Sequence, residues 1–263
     1  MFDAELLKDQ VAIVTGGGTG IGLAIAKRLA SVGARILIAS RSAEHLESGV
    51  AALQCSDRDA STFQVDVRDP TQVDAMVAHA VRTFGRADIL VNNAAGNFVC
   101  RAENLSPNGW KAVIDIVLNG SFYCSRAFGR ELIGTGRPGA IVSVLANYVW
   151  TGSPGTIHSA AAKAGVLSMT QTLGVEWADR GIRVNAVAPG PVESAGAARQ
   201  LWNTPEAVER IGRAVPLGRW GKPDEVANAV VFLASPLSSF VTGETLTIDG
   251  AAWMGKGPYG FLD

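Results

Sequence analysis

The chain alternates short apolar runs with longer stretches whose apolar residues return at helical spacing. Gln10 to Thr15 is the first such run, and Gly16-Gly17-Gly18-Thr19-Gly20-Ile21-Gly22 leads from it into LAIAKRLASVGA, a helical pattern. Residues 34–40, ARILIAS, read as a second strand and complete a βαβ unit. The alternation then repeats. TFQVD (62–66) is strand-like, Pro70 to Phe84 helical, ADILVNNAAG a strand and turn, and Asn108 to Leu132 one long helix containing Asn119. Strand GAIVSVL, helix 157–178, strand GIRVNAV, a variable region over 194–215, helix 223–234 and a last strand, TLTID, follow. The series predicts one α/β domain over 1–263: a Rossmann-like, doubly wound parallel sheet of about seven strands with helices on both faces. The binding crevice of such a sheet lies at the carboxyl ends of its strands, where Asp66, Asn93, Gly96, Tyr148 and Pro189 fall.

Composition narrows the class of partner. With 263 residues and 48% hydrophobic content the chain can bury a large core, and no linker, charge block or repeat divides it. A formal charge of −1, with basic residues scattered singly, gives no electrostatic footprint for nucleic acid or an anionic membrane. The start, MFDAELLKDQ, is acidic where an export signal is basic, and no apolar run approaches the roughly 18 residues of a membrane span. Cys55, Cys100 and Cys124, odd in number and without CxxC spacing, predict reduced thiols in a cytoplasmic protein. His45, His79 and His158 have neither HxxxH nor HExxH spacing, so no metal site is expected. The expected partner is a small molecule.

Strand, glycine turn and helix together form a dinucleotide-binding pattern, because glycines let the backbone approach a pyrophosphate at the positive end of a helix. An NAD site would place a carboxylate about twenty residues past the glycines, against the ribose 2′-hydroxyl. Here the chain reads Ala39-Ser40-Arg41. Without a carboxylate to repel a 2′-phosphate, and with a guanidinium to pair with it, the pattern favours NADPH, although Arg41 also suits an ordinary solvated loop.

Thr15-Gly16-x-x-x-Gly20-x-Gly22, Asn92-Asn93-Ala94-Ala95-Gly96, Asn119, Lys163 and Pro189-Gly190 together resemble the short-chain dehydrogenase/reductase family over nearly the whole chain. The resemblance implies an NAD(P)(H) cofactor and a homotetramer. It implies that Gly16, Thr19, Gly20, Ile21 and Gly22 hold the cofactor's phosphates, that Asp66 and Val67 lie beside the adenine, and that Asn93, Ala94 and Gly96 run along the cofactor. Lys163 would grip the nicotinamide ribose, with Pro189 and Val192 near the carboxamide. Two usual parts are missing. Ser159 stands where the family has tyrosine, and Ala146, thirteen residues earlier, where it has serine. An aliphatic hydroxyl is a far weaker acid than a phenol of pKa about 10, so Ser159 cannot simply substitute.

Of the three tyrosines, Tyr123 lies within the long predicted helix and Tyr259 in the tail; Tyr148 directly follows strand GAIVSVL, at the crevice. There it can either aim its hydroxyl into the site or only pack on the rim. Tyr148-x-x-Thr151-Gly152-Ser153 with Ser159-x-x-x-Lys163 is similar to the 2,4-dienoyl-CoA reductase subgroup, whose tyrosine sits fifteen residues before the lysine. Ala94 to Phe98, Leu105 to Lys111 and Asp115 to Gly120 carry the same likeness. It implies an acyl-CoA substrate, with Asn97 and Tyr148 holding the thioester carbonyl and Ser159 and Lys163 completing the polar site. The chemistry suits a displaced acid, because hydride entering at C5 of a dienoyl thioester sends charge to an oxygen several bonds away. Asn119 either supports a water beside Lys163 or satisfies a break in its helix. Residues 194–215, which include Arg199, Trp202, Arg210 and Arg213, occupy the place of a substrate lid, and their arginines suit either a CoA phosphate or a solvated helix face. Three functions follow: NADPH-dependent reduction of 2,4-dienoyl-CoA to 3-enoyl-CoA in fatty acid degradation; a 3-oxoacyl or other carbonyl reductase; and a catalytically silent NADPH-binding protein.

Overall fold

The computed structural model describes residues 2–53, 59–193 and 205–254. Among these, seven parallel strands form one sheet: β1 (Val11–Thr15), β2 (Arg35–Ser40), β3 (Ala60–Gln64), β4 (Ile89–Asn92), β5 (Gly139–Val144), β6 (Ile182–Pro189) and β7 (Thr245–Ile248). Their order is β3-β2-β1-β4-β5-β6-β7. The helices are α1 (Gly20–Ala30), α2 (Ala43–Leu53), α3 (Pro70–Phe84), α4 (Pro107–Ile114), α5 (Gly120–Thr135), α6 (Ile157–Glu176), α7 (Pro205–Ala214) and α8 (Pro223–Ala234).

Successive side chains on a strand point to opposite faces, and both faces here are apolar. Ala12 and Val14 of β1 join a core with Ile25 and Leu29 of α1, Leu46 of α2 and Val230 of α8. Val11 and Ile13 point the other way, against Met76 of α3 and Phe128 of α5. That two-sided burial is why the strands read as continuous apolar runs rather than as alternation. Strand order reverses between β1 and β4, so their carboxyl ends splay into the crevice that such sheets use for ligands.

Two predicted elements differ in detail. The long helix expected over 108–132 is divided: α4 and α5 are joined by a π turn at Asp115–Asn119, where Gly120 N–H reaches back to Asp115 O. At the start of α5 a Cβ on Gly120 would stand 2.7 Å from Val67 Cγ2, so glycine is needed for the helix to lie this close to the segment after β3. Strand β3 begins and ends two residues earlier than its apolar pattern suggests, because its ladder with β2 runs from Ala60 opposite Ile36 to Gln64 opposite Ser40. The variable region contains α7 from Pro205; residues 194–204, with Arg199 and Trp202, lie outside the described residues, as do Cys55 and Tyr259.

Candidate active site

The site begins at the ends of β1 and β4. Thr15 Oγ1 donates to Val91 O at 3.1 Å and accepts from the N–H groups of Asn93 and Ala94 at 3.0 and 3.1 Å. The Asn93 side-chain amide donates to Thr15 O and Gly16 O at 3.0 and 3.2 Å. These bonds pin the glycine turn against the β4 turn. Gly16 has φ +63°, a conformation that side chains disfavour. A Cβ on Gly22 would lie 2.2 Å from Gly16 O and 2.4 Å from Asn93 Nδ2, so only glycine lets α1 start this close to β1.

Thr19 precedes α1 without a side-chain capping bond, so the first-turn N–H groups lack that partner and suit an anion. Exposed Arg41 follows Ser40 at the end of β2, where the strand carries no carboxylate of its own, and the Arg41 charge also acts on nearby Asp66. The carboxylate of Asp66 is turned to Arg68, whose Nε bonds both its oxygens at 2.9 and 3.0 Å and holds the acid below its usual pKa. Val67 is buried under α5. An uncapped helix end, a glycine cradle and a β2 end without a carboxylate of its own fit a dinucleotide phosphate backbone.

Past this cradle opens a cavity of about 680 Å³, lined by Ile21, Asn93, Gly96, Asn97, Tyr148, Ser159, Lys163, Pro189 and Val192, residues expected there from the sequence. Tyr148 sits on a single 3₁₀ turn, Asn147–Val149, just after β5. Its hydroxyl and Ser159 Oγ share a hydrogen bond of 2.8 Å in which either oxygen can donate. Burial raises the phenol's pKa, with the Ser159 bond pulling weakly the other way. The group therefore keeps its proton across the neutral range. Lys163 stands one turn further along α6 from Ser159, buried, with Nζ donating to Val144 O. Burial pushes its pKa down to about 8. Asn97 spends its Oδ1 on Phe98 N–H at 2.9 Å, so the end left to act in the cavity is the NH2 donor.

Asn119 behaves differently. Its amide donates to Asp115 Oδ1 at 2.9 Å, within the π turn, and it does not line the cavity. Gly16, Thr19, Gly20, Gly22, Ser40, Arg41, Asp66, Val67 and Ala94 also lie off the cavity wall, along the approach from the sheet's other half. Tyr123 packs with the α3–α5 core. Arg213 pairs with Glu209 on an exposed face of α7, as a solvated helix would. Ile211, Ala214 and Val215, at the end of the region expected as a lid, line the cavity, as does Ala252 from the tail, for which no site role was expected. Their i, i+3, i+4 spacing puts Ile211, Ala214 and Val215 on one helical face. His158, beside Ser159, is fully buried with its ring 4.4 Å from that of Phe98 and neither ring nitrogen hydrogen-bonded.

Parallel sheet, glycine cradle and a lysine beside a largely apolar cavity with a few polar groups define a nucleotide-dependent oxidoreductase. The chain belongs to the short-chain dehydrogenase/reductase family, whose members use a nicotinamide cofactor: residues 16–251 match the family model described as enoyl-(acyl carrier protein) reductase. It is 46% identical over 254 residues to a Bacillus subtilis protein named "Probable 2,4-dienoyl-CoA reductase [(2E)-enoyl-CoA-producing]", covering 96% of this chain and 100% of that one. A Danio rerio peroxisomal 2,4-dienoyl-CoA reductase, named as (3E)-enoyl-CoA-producing, is 40% identical over 255 residues, covering 97% and 85%. A crystal structure of a short-chain dehydrogenase from Bacillus anthracis superposes with a TM-score of 0.90 at 46% identity, covering 96% of this chain and 100% of that one.

Proposed function

We propose that this protein is an NADPH-dependent 2,4-dienoyl-CoA reductase that forms 3-enoyl-CoA during degradation of unsaturated fatty acids. The observation that carries the reading is the Tyr148–Ser159 hydrogen bond on the cavity wall, made by a phenol that burial keeps protonated. The names of the two relatives support the substrate class. Gly16, Thr19, Gly20, Ile21 and Gly22 would hold the cofactor's phosphates, with Asp66, Val67, Asn93, Ala94 and Gly96 along it and Pro189, Val192 and Lys163 at the nicotinamide end. Ser40 and Arg41 would receive a 2′-phosphate. When bound, the cofactor supplies hydride to the far end of the diene.

The chain's own residues deal with the charge that results. Tyr148 and the Asn97 NH2 group would donate to the thioester oxygen, forming an oxyanion hole. Ser159 donates back to Tyr148 as the phenol gives up its hydrogen-bonding capacity, and Lys163, mostly cationic below its pKa of about 8, adds positive potential behind them. Donors gathered around the carbonyl put a proton nearest C2, the adjacent carbon, and protonation there leaves the double bond between C3 and C4. Asn119 would act through the π turn, holding α5 beside the site.

The chain would form a single domain, with α7 over the acyl side of the cavity as part of a lid. A homotetramer is expected, to which exposed Val175, Leu237 and Phe240 would offer apolar surface, and light scattering would check it. No helix among the described residues is long and apolar enough to cross a membrane, and free Cys100 and Cys124 suit the cytoplasm. The test of function compares 2,4-hexadienoyl-CoA with acetoacetyl-CoA as substrates, following NADPH absorbance and the product by NMR. Turnover of the diene alone, yielding 3-enoyl-CoA, is expected. Turnover of the ketoester alone would make the protein a carbonyl reductase, and a 2-enoyl product would place the proton at C4.

A further inference from the structure

A tyrosine carried on one 3₁₀ turn lacks the support that a long helix gives a side chain. The turn before Tyr148 and the ring after it are both held by the segment that follows β7. Asp249, at the end of that strand, is buried, and its Oδ2 accepts from Asn147 Nδ2 at 3.0 Å and from Trp253 N–H at 2.8 Å. Asn147 is the residue immediately before Tyr148. Two residues after Tyr148, the Trp150 ring lies 5.3 Å from that of Trp253, tilted by 30°. The chain reverses between the two anchors through Ala251, at φ +69°, and Ala252 reaches the cavity wall.

The neighbouring strand is cut to admit this arrangement. A Cβ on Gly190 would stand 2.5 Å from Asp249 Cβ, so only glycine at the end of β6 leaves room for the aspartate, while Gly190 N–H bonds Ile248 O at 3.0 Å. One carboxylate oxygen thus ties the tail to the turn, and one ring pair closes the clamp from the far side. A misplacement of about 1 Å in a reacting group can cost about 10²-fold in rate, so a loop-borne donor gains from such a double hold.

We propose that Asp249 and Trp253 are positioning residues that clamp the Asn147–Trp150 segment so that the Tyr148 hydroxyl stays aimed into the cavity. The inference rests on the reading of Tyr148 as a donor to substrate. Neither residue need touch substrate for it to hold.

The experiment measures kcat with 2,4-hexadienoyl-CoA, and KM for NADPH, for Trp253→Ala in the parent enzyme and in Tyr148→Phe. The clamp predicts a loss in kcat of about tenfold or more in the parent and under about twofold in Tyr148→Phe, with NADPH KM little changed in either. Trp253→Phe, which keeps a ring against Trp150, should recover most of the parent kcat. Should Trp253→Ala fail to fold by thermal melting, Asn147→Ala gives the same comparison by removing the bond to Asp249. Equal losses in both backgrounds would overturn the positioning role while leaving Tyr148 a donor. No loss in the parent would overturn it as well. A Tyr148→Phe enzyme at the parental rate would remove the donor reading and the clamp's purpose together.

Discussion

At the scale of single residues, the proposed reaction asks two opposite things of neighbouring groups, and burial supplies both. Burial disfavours the charged form of a group, so it raises the Tyr148 phenol and lowers the Lys163 ammonium. A phenol that stays protonated is suited to giving a hydrogen bond to developing charge rather than to taking a proton from an alcohol, which favours reduction. Lys163 loses its charge as pH rises through about 8, and with it part of the attraction for an anionic cofactor. NADPH affinity, followed by fluorescence titration, should therefore weaken as pH rises through about 8, and Lys163→Met should flatten that dependence. Arg41→Ala should raise the NADPH Michaelis constant about tenfold or more, as expected for losing a charge-assisted bond of about 1.5–3 kcal/mol, and leave that for NADH nearly unchanged. Equal effects on the two cofactors would make Arg41 a solvated loop residue.

Elements place these residues by close approach, and one substitution tests the closest. Gly22→Ala puts a methyl group 2.2 Å from Gly16 O, so α1 must move off the glycine turn. Overpacking of this kind costs about 1–3 kcal/mol. A lower melting temperature together with weaker NADPH binding is expected; an unchanged titration would show that α1's position does not matter to the cofactor. Much of this level was legible in the sequence. Helices α3 and α8 begin and end where their patterns do, because Pro70 and Pro223 open them and a turn residue closes α3 at Gly85, in the left-handed conformation. A break at Asn119 was one of two readings of that residue, but its π form was not legible, because Asp115 and Asn119 fit an unbroken helix in spacing. Tyr148 could be singled out from its place after β5, but its bond to Ser159 depends on the start angle of α6, which periodicity does not encode. The tail's hold on that turn joins Asn147 to Asp249, a hundred residues apart, and no local pattern carries it.

For the whole molecule, the sheet order supplies the crevice and apolar cores on both faces of the sheet support it, while stability bears the mark of a buried imidazole. His158 is fully buried, and burial lowers its pKa below 6.5. The unfolded chain binds that proton more readily, so the stability present above about pH 6.5 is lost as pH falls toward the folded-state pKa. His79 shifts in the same direction, through burial first and the Arg82 charge second, and adds to the loss. Urea unfolding at pH 7.5 and 5.0 should show a drop in stability that His158→Phe reduces without abolishing. An equal drop in the variant would mean that His158 keeps its ordinary affinity for protons.

In this site the proton-holding group stands on the loop after β5 and not on α6. The most direct measurement of its role is kcat of Tyr148→Phe with 2,4-hexadienoyl-CoA and saturating NADPH, with cofactor binding measured alongside. A fall of about 10²–10³, or roughly 3–4 kcal/mol, with NADPH affinity retained, is expected. A rate within about threefold of the parent, at intact cofactor binding, would contradict it.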